Sequence, residues 1–497
     1  MKYSAPILAL LCLFISSKGL AQTKPNILLI VSEDNGPELG CYGDRFARTP
    51  HLDQLAEDGI LFRQAFVPQA GCSQSRASFL TGLYPHQHGQ IGLATWGFRL
   101  YRNDTPNLPR SLKKVGYRTG LIGKLHINPA SAFRFDMHEI TGANFQRKGL
   151  GEYARHAKEF ISAGEEPFFL SVNYPDAHDP WITQVDGLPK EPQTKDDVRT
   201  MEYMGIDSPE FREMVADYYN CMSRLDSLIG NLLQELDESG KADNTIVIYI
   251  GDHGADMLRG KRTCYEGGLR IPMLMKWPGR IAAQVRDEFV STLDLMPTLL
   301  KASGANDVAG LPGAELQPLF QPSSTKWRTH FFAEYHTHAA APNYFPQRSV
   351  RGERYKLIES LLPDTIHPDY DKTIEKLHGD YTKQKYSGKL DLNTVIASAS
   401  PTVKSAYALM RTPPRYQLYD LDQDPHEFKN LAADPQHADI LSEFEQRLTK
   451  WRTETNDPLL DESNLARLSK EVQSMKKKSA AKKHDWKYPQ YLLKASE

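Results

Sequence analysis

The run Cys72-Ser73-Gln74-Ser75-Arg76 sets a thiol and a guanidinium one helical turn apart, at the point where a polar turn gives way to a helix. Amides at a helix N-terminus stabilise developing anionic charge, and an arginine four residues on points back at the same group. Such a setting suits covalent catalysis, which splits one difficult displacement into two easier ones. Two acidic clusters, Glu33-Asp34 and Asp252-His253, offer hard oxygen ligands of the kind that hold Ca2+ or Mg2+, and His253 adds a softer nitrogen. Further cations and imidazoles stand in Gly123-Lys124-Leu125-His126, Pro175-Asp176-Ala177-His178 and Gly260-Lys261. Any one of these alone in a loop is most often solvated. Their value depends on whether the fold gathers them.

The elements around them are legible. Residues 25–31 form a continuous apolar, β-branched run, the pattern of a strand buried on both faces, and it stops abruptly at Ser32-Glu33-Asp34. Thr49-Pro50 predicts a helix start and Gly59 its end. Residues 61–67 read as a strand, 107–115 as a helix, and 118–123 and 167–174 as strands. Ser208-Pro209 opens the longest helix, whose apolar side chains from Phe211 to Leu236 recur at three- and four-residue steps. Cys221 lies on that stripe and reads as core. Residues 244–250 form another buried strand, ending in Asp252-His253.

Strands alternating with helices predict an α/β fold, a large, mostly parallel sheet sandwiched by helices. Such sheets bind ligands beyond the carboxyl ends of their strands, where both acidic clusters fall. After about Pro322 the pattern changes to a hairpin at 348–358 and a strand at 416–421, a smaller C-terminal α+β domain. The expected division is a signal peptide at 1–21, a catalytic domain at 22–322, the smaller domain at 323–465 and a lysine-rich tail at 466–497. Within the tail, 476–483 reads as a solvated or disordered end.

Residues 72–82 resemble the sulfatase signature, C-x-(P/A)-S-R followed by T-G, with Gln74 where the family has Pro or Ala. Gly123-Lys124-Leu125-His126 is similar to the family's G-K-W-H motif, with Leu125 replacing the aromatic. Gly260 to Gly268 matches its G-K-x-T-x-Y-E-G-G segment, and the His178 segment and the two acidic clusters match by position and order. The resemblance implies an alkaline phosphatase-like fold. It also implies a formylglycine made from Cys72 by a separate maturing enzyme. One hydroxyl of its hydrate attacks sulfur, and the other expels sulfate as the aldehyde re-forms. Glu33, Asp34, Asp252 and His253 would hold one Ca2+, with Glu33 where the family has Asp. Arg76, Lys124 and Lys261 would bind sulfate and the nucleophile. His178 is the candidate general acid and His126 the candidate base for sulfate release.

Within the family, residues 72–93, 348–358 and 416–420, with Asp424-Pro425-His426-Glu427 and Thr455-Asn456-Asp457-Pro458, resemble the heparan N-sulfatases (N-sulfoglucosamine sulfohydrolases). The expected substrate is a sulfated sugar or glycan. O-sulfate on an algal polysaccharide is the alternative to N-sulfate. His336 and His338, between the two domains, are candidate substrate contacts, with a structural role as the alternative.

The 497 residues, 25% charged and 40% hydrophobic, are ordinary for a globular protein, and a net charge of −2 gives no support for a nucleic-acid binder. Lys2, the short apolar run at 7–15 and Gly19-Leu20-Ala21 read as a cleaved export signal too short to span a bilayer. The mature protein is expected in the periplasm or outside the cell, with no membrane attachment. Two rivals remain: a two-zinc phosphoryl-transfer hydrolase of the same fold, and an unmatured glycan-binding protein.

Overall fold

The computed structural model describes residues 24–305, 308–323, 325–367 and 392–496, and the expected signal segment lies outside them. The first eleven strands are β1 (Asn26–Ser32), β2 (Ile60–Phe62), β3 (Ala65–Phe66), β4 (Arg118–Gly123), β5 (Met137–Glu139), β6 (Phe168–Asn173), β7 (Thr245–Gly251), β8 (Arg270–Ile271), β9 (Met273–Lys276), β10 (Gln284–Arg286) and β11 (Val290–Ser291). Eight of them make one sheet in the order β10-β2-β9-β7-β1-β6-β4-β5, parallel except where β9 meets β2 and β7. β1, β6 and β7 are buried at every residue, as their unbroken apolar runs require.

Helices flank the sheet in two packed groups, Pro50–Glu57, Glu152–Ser162 and Pro209–Glu238 in one, and Cys72–Thr81, Leu108–Lys114 and Leu295–Ser303 in the other. The long helix starts as its sequence dictates, with Pro209 in the first turn and the Ser208 hydroxyl accepting from the Phe211 amide. Cys221 is buried on its core face, and Cys41, Cys72, Cys221 and Cys264 are all free thiols.

One expected element is divided. The run at 61–67 becomes two strands, β2 in the main sheet and β3 in a three-stranded sheet with β8 and β11. Arg63 and Gln64 turn the chain between them; the Arg63 amide bonds the Arg286 carbonyl at 2.9 Å and its side chain pairs with Asp287 at 3.1 Å. The polar pair inside the apolar run marked that turn.

Beyond residue 330, β12 (Phe331–Tyr335), β13 (Gln347–Arg351), β14 (Tyr355–Ser360) and β15 (Tyr416–Asp420) form an antiparallel sheet in sequence order, which includes the expected hairpin. Tyr335, Ile358 and Tyr419 join the apolar core of the main sheet, so the smaller sheet is packed onto it. The tail differs from the loose end expected. Its lysines are exposed, but Glu462–Ser474, Lys478–Lys483 and Tyr488–Ser496 are helices, and Trp486, Tyr488 and Leu492 pack with Phe98, Tyr344 and Leu361 in a separate core. The aromatic residues interleaved with the lysines are what anchor it.

Asp457, in the Thr-Asn-Asp-Pro segment, holds the smaller sheet to the helix Ala438–Glu454. It accepts from Arg348 at 2.8 Å on each carboxylate oxygen and from Arg452 at 2.7 Å, all buried. Burial opposes its charge, yet Arg348 outweighs burial and holds Asp457 far below the usual carboxylate range. Its stabilisation is therefore complete above the ordinary aspartate value of about 3.9 and is lost as pH falls below it. Asp457→Asn removes the carboxylate that two buried guanidinium groups share, leaving Arg348 with Glu334 at 3.5 Å and Arg452 with Glu359 at 3.2 Å, and is expected to cost about 3 kcal/mol, the lower end for breaking a buried pair. Urea denaturation at pH 7 checks this, and the gap between variant and wild type narrows at acid pH.

Candidate active site

The four central strands end on one line. Ser32 of β1 is in register with Gly251 of β7, Val31 with Asn173 of β6, and Asn173 with Gly123 of β4. The residues that follow these ends are Glu33-Asp34, Asp252-His253, Lys124 and His126, and the His178 loop. Pairing continues past the strands: the Asp252 amide donates to the Ser32 carbonyl at 2.9 Å and the Glu33 amide to Asp176 at 3.0 Å. Gly123 permits the last step, because its φ is +92° and a Cβ there would lie 2.2 Å from the Asn173 carbonyl oxygen. Asp34 and His126 also take left-handed backbone, at φ 51° and 58°, which costs a non-glycine residue about 1–3 kcal/mol and is concentrated at functional sites.

Cys72 is the first residue of the helix Cys72–Thr81, all of which is buried although more than half its side chains are polar. A polar helix is tolerated in the interior when its polar groups find partners. Ser73 accepts from the Ala94 amide at 2.9 Å, Gln74 donates to the Thr337 carbonyl at 2.6 Å, and Ser78 meets His88 at 3.1 Å. Arg76 donates to the Lys124 carbonyl at 2.9 Å and the Asn173 side chain at 2.7 Å, and its other terminal nitrogen faces Asp252 at 3.2 Å and Glu33 at 3.4 Å.

Around the Cys72 sulfur the charges interlock. His253 Nε2 is 3.3 Å from Sγ and 3.3 Å from Asp34. Lys124 donates to Glu33 at 2.7 Å, and Lys261 to both oxygens of Asp34 at 2.9 Å. Burial opposes a thiolate at Cys72, but Lys124, Lys261 and His253 outweigh it and hold the thiol well below its usual range. The imidazoles divide. Burial, reinforced by Lys124, pushes His126 down to about 4, so it is neutral near pH 7. Burial works against charge on His178 too, but Asp34 and Asp179 together outweigh it and push it up to about 10. Two titratable groups driven apart in this way are suited to base and acid work.

The donor set fits a divalent cation. Three buried carboxylates converge, and Glu33 Oε1 and Asp252 Oδ2 have no hydrogen-bond donor. Burial raises Glu33 above its ordinary value even against Lys124 and Arg76. Ligand atoms of Asp34, Cys72 and His253 lie within 4.8 Å of one another. Burial opposes a charged His253, yet Asp252 leads in pushing it up to about 9, so a cation bound through this nitrogen would displace its proton.

The structure thus brings together Glu33, Asp34, Cys72, Arg76, Lys124, His126, His178, Asp252, His253 and Lys261. His338 joins their rim: burial dominates in lowering it, and Lys261 and Cys72 act on it next. His336 does not reach the cleft. It is fully buried, 3.5 Å from Glu334, inside the cluster of His86, Arg348 and Asp457: alternation keeps it on the face of Glu334, two residues before it, whereas the chain leaves β12 after Tyr335 and bends at 338–340, which carries His338 away from that face.

Known proteins share the sequence pattern and the fold of this chain. Residues 25–305 match the sulfatase family, and residues 251–387 match the C-terminal family of N-sulphoglucosamine sulphohydrolase. Human N-sulphoglucosamine sulphohydrolase is 32% identical over 485 residues, covering 90% of this chain and 94% of that protein. The chain belongs to the sulfatase family. An ulvan-active sulfatase of Formosa agariphila is 26% identical over 495 residues, covering 89% and 77% of the two chains. A solved protein in complex with its substrate, D-glucosamine-2-N,6-O-disulfate, shares the fold at a TM-score of 0.63 and 19% identity, over 87% of this chain and 98% of that one.

In this sulfatase, several supporting residues went unrecognised in the sequence. Asn173 fixes Arg76, and a polar residue closing an apolar strand was its signal. Asp176 is clasped by Arg147 at 3.0 Å and Arg224 at 2.8 Å, and Arg147 also donates to the His178 carbonyl, so the three buried groups set the His178 loop. Nothing in their spacing along the chain pairs them. Phe145 stacks on the His178 ring at 4.2 Å. Gln74, the departure from the signature, ties the helix Cys72–Thr81 to Thr337, beside His338. Gln74→Ala would strand the Thr337 carbonyl with one long 3.4 Å contact from Gln69. We expect a loss of about 1–3 kcal/mol in thermal or urea unfolding, together with a fall in kcat/KM as His338 loses its tether.

Proposed function

We propose that this sulfatase hydrolyses sulfate esters or sulfamates on a sulfated sugar, with N-sulfated glucosamine as the first candidate, through a formylglycine formed from Cys72 and one Ca2+ held by Glu33, Asp34, Asp252 and His253. The observation that carries the reading is the position of Cys72, at a helix start, beside two lysines, two histidines and three buried carboxylates. Calcium there would neutralise sulfate oxygens, and the hydrated aldehyde would supply the attacking oxygen.

The chain's own residues do the rest. Arg76 holds Glu33 and Asp252 in place and points its guanidinium toward the reacting centre. Lys124 and Lys261 set positive charge on either side of position 72, where sulfate oxygens must lie. His178, protonated at neutral pH and aligned by Asp34 and Asp179, donates a proton to the departing oxygen or nitrogen. His126, neutral and facing position 72, accepts the proton released when sulfate leaves. His338 stands at the rim, where the sugar enters.

The relative named for N-sulphoglucosamine, aligned over nine tenths of this chain, supports a sulfamate. The ulvan-active relative supports O-sulfate on an algal polysaccharide as the second reading, and both use the same sulfur chemistry. Export follows the leader read at 1–21. Among the described residues no helix is long and apolar enough to cross a membrane.

Cys72→Ala is expected to abolish hydrolysis while the unfolding midpoint stays near that of the wild type. Turnover retained in that variant would disprove the mechanism. Mass spectrometry of the tryptic peptide spanning residue 72, from protein produced with the maturing enzyme, should find it about eighteen mass units lighter than the thiol form. A peptide that remains an unmodified thiol would favour the glycan-binding rival. Chelation should remove activity and calcium restore it; two tightly held zinc ions per chain would instead support the phosphoryl-transfer rival.

A further inference from the structure

Within the tail, residues 476–483 carry five lysines, Lys476, Lys477, Lys478, Lys482 and Lys483, and no acidic residue. All five are exposed, and none pairs with a carboxylate among the described residues. The nearby acids are engaged elsewhere: Glu471 takes His484 at 3.2 Å and the Tyr491 hydroxyl at 2.9 Å, and Asp485 takes Lys487. In a chain of net charge −2, this concentration of positive charge is local.

It is also fixed in place. The helix Lys478–Lys483 lies against the turn Ala94–Trp96. Trp486 donates to the Trp96 carbonyl at 3.2 Å and packs on Phe98 at 4.2 Å between ring centroids. The Tyr488 hydroxyl donates to the Arg99 carbonyl at 2.7 Å and accepts from the Arg99 amide at 2.8 Å, and the Arg99 side chain, also exposed, adds a sixth cation.

The segment that seats this helix is itself part of the cleft wall. The Leu93 amide donates to the His338 carbonyl at 2.9 Å, the Ala94 amide to Ser73 beside the nucleophile at 2.9 Å, and Asn128, two residues past His126, donates to the Ala94 carbonyl at 2.8 Å. One segment therefore joins the nucleophile helix, the His126 loop and the His338 rim on its inner side and carries the lysine helix on its outer side.

We propose that the helix Lys478–Lys483 with its flanking lysines and Arg99 is a binding arm for a sulfated glycan chain, engaging sulfates on sugars beyond the one being hydrolysed. The charge argues for this occupant. A row of mobile ammonium groups on a rigid support suits a polymer that repeats anionic groups at irregular spacing, since it takes each as a point charge without a fixed fork geometry. The proposal rests on the reading of the cleft as a sugar-sulfate site and extends it to a polymeric or oligomeric substrate.

The test compares the full-length matured enzyme with the variant Lys477→Gln/Lys478→Gln/Lys482→Gln/Lys483→Gln. The probes are heparin, N-sulfoglucosamine monosaccharide and phosphatidylserine-containing vesicles. The variant should unfold at the wild-type midpoint, since its changes are on exposed side chains. Heparin affinity should fall about tenfold or more, with a shallower dependence of log affinity on log salt, while turnover of the monosaccharide stays within about twofold. Cys72→Ala should bind heparin as wild type does, so the binding result stands apart from catalysis: if no sulfated sugar is turned over yet heparin binding depends on the lysines, the catalytic reading fails and the arm remains. Heparin affinity unchanged in the lysine variant overturns the proposal. So does lysine-dependent binding to the vesicles without binding to heparin, which would make the arm a membrane contact.

Discussion

Three carboxylates from two strand ends, Glu33, Asp34 and Asp252, are buried side by side, and the rest of the structure answers that constraint. Carboxylates taken out of water at such close quarters are strongly unfavourable unless cations and hydrogen bonds meet them. Arg76 faces two of them, Lys124 takes Glu33 and Lys261 takes Asp34, and the same three cations set the field around Cys72. The groups that make the acidic cluster tolerable are thus the groups that would receive a sulfate. Stability and anion recognition rest on one set of contacts.

This accounts for the polar yet buried helix Cys72–Thr81. Its role is to deliver Cys72 and Arg76, and Ser73, Gln74 and Ser78 are spent on neighbouring segments. Through Gln74 it reaches Thr337, and the adjoining buried cluster of His86, Glu334, Arg348 and Asp457 links helix Pro85–His88 to β12, β13 and the residues after Ala438–Glu454. The segment that leaves the smaller sheet after β12 therefore brings His338 to the rim of the cleft, and the Leu-Tyr-Asp and Asn-Asp-Pro segments serve to fold that sheet. Their match to sulfatases reports architecture more than chemistry.

The outer wall shows a different use of charge. Inside the cleft each cation is buried and committed to a partner, whereas on the helix Lys478–Lys483 the ammonium groups are left in water, where they remain available to an incoming polyanion. Aromatic residues make that arrangement rigid: Trp486 and Tyr488 supply a small apolar core that a lysine-rich segment otherwise lacks.

From its amino acids alone the chain declared the central strands, the long helix, the order of the site segments and nearly all the residues that meet at the cleft. The reason is local: apolar runs of strand length, capping residues and short polar clusters carry their meaning within a few residues of themselves. Three things depended on the folded chain. The run at 61–67 was divided because two sheets compete for it. His336 and His338 parted because the chain leaves β12 after Tyr335 and bends at 338–340, so the alternation that keeps His336 beside Glu334 no longer governs His338. Arg147, Asp176 and Arg224 found one another across loops and a helix, and the lysine tail found its seat on Ala94–Trp96, through contacts between residues far apart in sequence, for which no spacing along the chain is a signal.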